Sequence, residues 1–153
     1  MIVDIEVNYS DERWRRFDFK KYIKILLRTD FVHSKIRNRE ISVSLLACNN
    51  KEIKILNHLF LGKNKFTNVL AWPSEQINEC YSSPRQVKKV HKKKFLGDIA
   101  ISFDYCLKEA KMYKRNFDKH CCHLLVHAVL HLMGYDHVTG NDASKMQKIE
   151  DRI

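Results

Sequence analysis

Five of the eight histidines in this 153-residue chain, His120, His123, His127, His131 and His137, fall within eighteen consecutive positions. Residues four apart on a helix lie one turn above each other on one face, so His127 and His131 can present two imidazoles to a single cation. Gly134 can take the left-handed conformation that ends a helix, which folds the chain back and brings His137 towards the same ion. The spacing H-x-x-x-H-x-x-x-x-x-H then closes. His123 also precedes His127 by four, but His123 to His131 is eight positions, about 12 Å of helical rise, too far to converge on one tetrahedral ion. His120 and His123 are therefore expected on the helix surface or behind the ligands, supporting them. Three protein ligands with the fourth position left to water is the usual arrangement of catalytic zinc, and one ion per chain is expected. Cys121 and Cys122 lie on turns well before His127. Asp136 is the one nearby residue able to coordinate or to orient an imidazole. Imidazole ligands also suit nickel, copper and iron, so zinc is inferred from the open three-histidine pattern.

A water held by such an ion has its pKa lowered towards about 7, and the ion neutralises charge on a phosphoryl or a carbonyl oxygen. Hydrolysis of either is open. In zinc peptidases the residue after the first histidine is a glutamate that takes the proton from water. Here it is Ala128, which leaves Glu109, Asp98 and Asp136 as carboxylates without an assigned place. Beyond the metal-bound water, no catalytic side chain is identified.

The elements that must position these residues are legible as alternating strands and helices. Residues 2–7 alternate apolar and charged like a strand, and Trp14, Phe17, Ile23, Leu26 and Leu27 recur at helical spacing among Arg15, Arg16, Lys20, Lys21 and Lys24, as one basic-faced helix. Ile41, Val43 and Leu45 alternate with Ser42 and Ser44 as a second strand. Asn49, three residues before Glu52, opens a helix through about Phe60. Residues 67–72, stopped by Pro73, and residues 96–102, with Gly97 near their start, read as two further strands. Residues 74–95 between them read as a long loop with a basic run of Arg85, Lys88, Lys89, Lys92, Lys93 and Lys94, expected to contact phosphates such as those of a nucleic acid. Cys106, Leu107, Ala110 and Tyr113 mark a helix, and a second runs from about Asp118 to Met133, capped by Asp118 and Gly134. Ala143, Met146, Ile149 and Ile153 fit a short closing helix.

With 44% apolar residues the chain can bury one sizeable core, and at this length a single domain spanning residues 1–153 is expected. Twenty-eight Lys and Arg against eighteen Asp and Glu leave a formal charge of +10, which favours acidic partners such as nucleic acid. No apolar run is long enough to span a membrane, and the amino terminus does not read as a secretory signal. Five cysteines, Cys48, Cys80, Cys106, Cys121 and Cys122, form an odd set without C-x-x-C spacing. That argues against a disulfide framework and for a soluble protein of the reducing cytoplasm.

The run H-A-V-L-H-L-M-G-Y-D-H from His127 to His137 resembles the H-G-x-L-H-L-x-G-Y-D-H motif of the YbeY rRNA-maturation endoribonucleases. The likeness extends to Leu56-Asn57, to T-N-V-L-A-W-P ending at Pro73, to L-G-D-I-A-I-S ending at Ser102, to Glu109-Ala110, and to Met146 with Glu150. It implies a compact α+β domain with a small mixed four-stranded sheet packed with helices, the metal site on a C-terminal helix and the turn after it. It also implies that His127, His131 and His137 bind Zn2+. The implied activity is metal-dependent cleavage of single-stranded RNA in small-subunit ribosomal RNA end processing and ribosome quality control, with ribosomal RNA and the ribosome as partners. Three positions depart from the family pattern. Ala128 replaces the motif glycine, Asn68 replaces the aspartate of T-D-V-L, and Leu61 stands where L-N-x-x-Y-R has an arginine able to hold a phosphate in bidentate fashion.

Two rivals follow from the same residues. One is a ribosome-associated RNA-binding protein with a structural zinc, for which Leu61 marks lost catalysis. The other is a metallopeptidase, which needs a carboxylate beside the activated water.

Overall fold

The computed structural model describes residues 2–36, 40–74, 93–135 and 148. Strands Ile2–Tyr9 (β1), Glu40–Cys48 (β2), Val69–Pro73 (β3) and Lys93–Ser102 (β4) form a mixed sheet in the order β1-β2-β4-β3. The first, second and fourth strands run parallel, and β3 lies antiparallel on β4 as an edge. Around the sheet pack a 3-10 turn at Glu12–Arg16 and helices Phe19–Leu27 (α1), Asp30–Lys35 (α2), Asn50–Leu61 (α3), Phe103–Met112 (α4) and Phe117–Leu132 (α5). The expected α+β class with a small four-stranded mixed sheet is what the chain adopts.

Strand alternation sends two sets of side chains to opposite faces. Val3, Ile5, Ile41, Val43, Leu45, Ile99 and Ile101 face the main core, where they meet α1 and α5. Leu46, Cys48, Leu70, Trp72 and Ala100 face the other way and are covered by Ile53 and Leu56 of α3. The entry to the main core is aromatic. Trp14 is wholly buried, donates its indole N–H to the Cys48 carbonyl at 2.9 Å and touches Phe17, Phe19, Phe103 and Phe117. One side chain thereby ties the end of β2 to the starts of α1, α4 and α5.

The approach of β3 to β4, with α5 packed over both, depends on Gly97. Between Ser42 and Val43 the register of β2 on β4 shifts by one residue, a bulge that places Gly97 opposite Val43. Gly97 has φ +140°, and a Cβ there would stand 2.1 Å from the Trp72 carbonyl oxygen and 2.9 Å from Leu132 Cδ2. The missing side chain lets β3 and the last turn of α5 close over β4.

Several sequence expectations change here. The single helix expected across Trp14, Phe17 and Leu27 is a 3-10 turn followed by a separate helix. Phe17 is extended, and Asp18 restarts the chain by accepting a hydrogen bond from the Lys21 N–H at 3.0 Å. Helix α2 had no sequence signal. The fourth strand begins at Lys93, so Lys93 and Lys94 belong to a strand and not to a loop. The amino-terminal cap of α5 is Asn116, whose side chain accepts from the Lys119 N–H at 3.1 Å, and not Asp118. The capping box of Asn49 and Glu52 forms as expected. The closing helix through Ala143, Met146, Ile149 and Ile153 lies outside the described residues.

Replacing Gly97 by alanine adds a clash with backbone to an unfavourable φ. It is expected to lower stability by about 2 kcal/mol or more, read as a lower urea midpoint at unchanged slope.

Candidate metal centre

Helix α5 packs on β3 and β4 with Leu125, Ala128, Val129 and Leu132 buried, and it carries its histidines at the margin of that apolar face. His127 and His131 are both half-buried. Their Nε2 atoms are 3.1 Å apart, with ring planes at 71° and centroids separated by 4.6 Å. Donor nitrogens roughly 2.0–2.1 Å from a tetrahedral zinc lie about 3.3 Å from each other. The pair is thus close to one edge of such a tetrahedron, and its donor set fits zinc. The same distance also allows one ring to donate a hydrogen bond to the other.

The helix ends as the sequence requires. Gly134 has φ +89°, its N–H bonds the His131 carbonyl at 2.9 Å, and the Tyr135 N–H bonds the Leu130 carbonyl at 3.1 Å. This is the two-bond closure of a helix through a left-handed glycine, with Tyr135 packed back onto the core. The chain therefore begins to reverse immediately after the histidine pair. His137 and Asp136 lie outside the described residues, as do Arg85, Lys88, Lys89 and Lys92. Among the described residues no three His, Cys, Asp or Glu side chains converge as a metal site.

The neighbouring candidates sort by environment. Ala128 is buried in the core, so the position that carries the peptidase base points away from solvent. Asp98 is exposed, and the strand's alternation turns it to the α3 face, opposite Ile99 and Ile101. Burial pushes the Cys122 thiol up to about 11, with Cys121 and Asp118 adding to the shift, so Cys122 remains a thiol near neutral pH. Hydrogen bonding to Cys121, and then burial, raise the Cys106 thiol as well. Lys93 donates to the Asp4 carboxylate at 2.8 Å, and that bond holds Asp4 below the usual carboxylate range. The ammonium of Lys93 is thus already paired, while Lys94 is half-buried in the same strand.

His120 is not on the surface. It is 4% exposed, and its Nε2 lies 2.8 Å from Glu109 Oε2. Asn68 donates its side-chain amide to the same carboxylate at 3.0 Å and 3.3 Å, and accepts from the Val69 N–H at 2.6 Å. An ionised carboxylate can only accept, so the imidazole donates Nε2–H, which leaves Nδ1 unprotonated in the neutral ring. Among the described residues that buried Nδ1 has no hydrogen-bond partner. Glu109 thereby links α4, the start of β3 and α5, two turns before His127. In place of the family's aspartate, the Asn68 amide gives Glu109 a hydrogen-bond donor that an ionised aspartate lacks. Sequence spacing did not reveal the cluster, because its contacts span 11 and 41 positions.

Glu109→Ala strands the Asn68 amide and the His120 ring in a largely buried setting. A loss of roughly 1–3 kcal/mol in chemical unfolding is expected, with Glu109→Gln recovering part of it.

Among the described residues no helix is long and apolar enough to cross a membrane. Residues 4–153 match the family model described as Endoribonuclease YbeY. Similar curated proteins, each named Endoribonuclease YbeY, include one from Ruegeria sp. (strain TM1040), 34% identical over 98% of this chain and 89% of its own length. Another, from Paracoccus denitrificans, is 36% identical over 97% of this chain and 83% of its own. A third, from Bartonella henselae, is 35% identical over 99% of this chain and 91% of its own. The solution structure of TM1509 from Thermotoga maritima shares the fold at TM-score 0.55 and 19% identity, over 98% of this chain and 87% of that one. With the family model spanning nearly the whole sequence, and relatives above 30% identity doing the same, the chain belongs to the YbeY endoribonuclease family.

Proposed function

We propose that this protein is a zinc-dependent endoribonuclease specific for single-stranded RNA. Its place is in ribosomal RNA maturation, at the end of the small-subunit RNA, and in ribosome quality control in the cytoplasm. One zinc per chain is held by His127, His131 and His137. The observation that carries this reading is the convergence of the His127 and His131 Nε2 atoms at 3.1 Å, on a helix that closes through the left-handed Gly134 three positions before His137 in the sequence. Zinc in such a site supplies an activated water and neutralises charge at a phosphoryl oxygen. Family membership supports RNA as the substrate, and the charge of +10 supports salt-sensitive contact with its phosphates.

The chain's own residues define what they can add. The two imidazoles stay in place because α5 is pinned by Leu132 against Gly97 at one end and by His120 against Glu109 at the other. No carboxylate follows His127, since Ala128 is in the core. Leu61, at the family's arginine position, is 51% exposed at the end of α3 and brings no charge. The neighbouring exposed Lys63 and Lys65 can hold phosphate as point charges without an arginine's planar fork. That feature favours a second reading, an RNA-binding protein with a structural zinc and weak or lost catalysis.

Cleavage of a single-stranded RNA oligonucleotide by zinc-loaded protein, beside His131→Ala and with metal content measured for both, tests the proposal. Wild type is expected to hold about one zinc and to cut, and the variant to do neither. Wild type that holds zinc yet leaves RNA intact would favour the second reading. If Leu61 limits the rate, Leu61→Arg is expected to raise kcat by about tenfold or more.

A further inference from the structure

The carboxyl-terminal end of α3 and the loop after it leave several large apolar side chains exposed. The helix buries Ile53 and Asn57 and partly buries Leu56, yet Phe60 is 63% exposed and Phe66, in the following loop, is 46% exposed. Leu59 and Leu61 are exposed beside them. The loop that carries Phe66 is held in shape. Gly62 turns the chain at φ +67°, the buried Asn57 donates its side-chain amide to the Lys65 carbonyl at 3.0 Å, and its own carbonyl accepts from the Lys63 N–H at 3.2 Å. Phe66 is therefore displayed from a braced loop. Lys54 Nζ lies 5.2 Å from the centre of the Phe66 ring, and Phe60 meets the Trp72 ring of β3 at 5.2 Å.

Charge indicates what such a surface would receive. From Ile53 to Ser74 the sequence has no acidic residue, Lys54 lies against the Phe66 ring, and Lys63 and Lys65 are exposed in the loop that carries it. Flat apolar rings beside lysines, in a segment with no carboxylate of its own, match a partner that offers planar faces and negative charge together, although Asp98, opposite Trp72 in the register, is an exposed acid on the same sheet face. Double-stranded RNA hides its base faces in the stack, whereas a single strand offers them. The position also suits the metal centre. β3 is an edge strand with Leu70 and Trp72 towards α3, and with Val69 and Ala71 towards the core that α5 covers, so platform and histidine helix flank the same strand.

We propose that Phe60 and Phe66 form a base-stacking platform for single-stranded RNA, with Lys54, Lys63 and Lys65 holding the adjoining phosphates. The proposal rests on the ribonuclease reading for its substrate class, and assigns that substrate a second contact beyond the histidines. With Leu61 in place of an arginine, this end of α3 grips RNA through base faces and lysine charge.

The test is fluorescence anisotropy of a fluorescein-labelled 2′-O-methyl oligoadenylate 12-mer, titrated with the zinc-loaded full chain. The panel is wild type, Phe60→Ala, Phe66→Ala, Phe66→Leu and Phe66→Trp, each checked for unchanged Tm and zinc content. A lost stacking contact should weaken binding about tenfold or more in Phe66→Ala and Phe60→Ala. Phe66→Leu should fall with them, Phe66→Trp should bind as wild type, and a 12-base-pair duplex should be insensitive to all four. A 2-aminopurine base in the single strand should be quenched by wild type and not by Phe66→Ala. Equal binding by wild type and the alanine variants overturns the platform, as does Phe66→Leu behaving as wild type. An absence of single-strand binding overturns it too and leaves the patch as a protein contact. The two readings fail separately: aromatic-dependent binding without cleavage of unmodified RNA keeps the platform and removes the nuclease, while cleavage with aromatic-independent binding does the reverse.

Discussion

The close packing of β3 and α5 over Gly97, where a side chain would meet the Trp72 carbonyl oxygen at 2.1 Å, is the constraint on which the rest of the site depends. Leu132 Cδ2 stands 2.9 Å from where a Cβ of residue 97 would lie, beside the Trp72 carbonyl oxygen at 2.1 Å, and Leu132 directly follows His131 in the chain. From that contact the helix runs back with Ala128, Leu125 and Cys121 against the core, and its histidines fall at the edge of the buried stripe. A helix lifted by one methyl group would shift the imidazoles and the turn at Gly134 together. Cores packed to crystal-like density do not absorb such a displacement cheaply.

The amino-terminal half of the same helix is held by polar contacts. His120, Glu109 and Asn68 form a cluster in which one carboxylate accepts from an imidazole and from an amide. Such groups stabilise only when satisfied, and most of the cluster's hydrogen-bonding capacity is met, with His120 Nδ1 the exception among the described residues. Apolar contact fixes the distance of α5 from the sheet, and the cluster ties it to α4 and to the start of β3. Together they hold two imidazole nitrogens near tetrahedral spacing.

How much of this was legible in the sequence depended on the range of the interaction. The box of Asn49 and Glu52, the alternation of Ile41, Val43 and Leu45, and the left-handed Gly134 are local, and each was readable from neighbouring residues. The break between Trp14 and α1 was not, because Trp14, Phe17 and Ile23 keep helical spacing across an extended Phe17 and only the Asp18 cap marks the interruption. The pairing of Lys93 with Asp4 joins residues 89 positions apart, so a residue read as loop proved to be strand. For His120 the sequence left surface and supporting positions both open for the same reason: its partner is on another helix. The pair His127 and His131 was legible because a four-residue spacing on one helix fixes its own geometry.

The central claim is a metal held by imidazoles alone among the protein's side chains, with one position left open. Zinc K-edge X-ray absorption on the stoichiometrically loaded protein tests it most directly. The account predicts nitrogen and oxygen scatterers only, at roughly 2.0–2.1 Å, fitted by three imidazoles and one further light atom. A sulfur scatterer near about 2.3 Å, or a shell of four imidazoles, would contradict it.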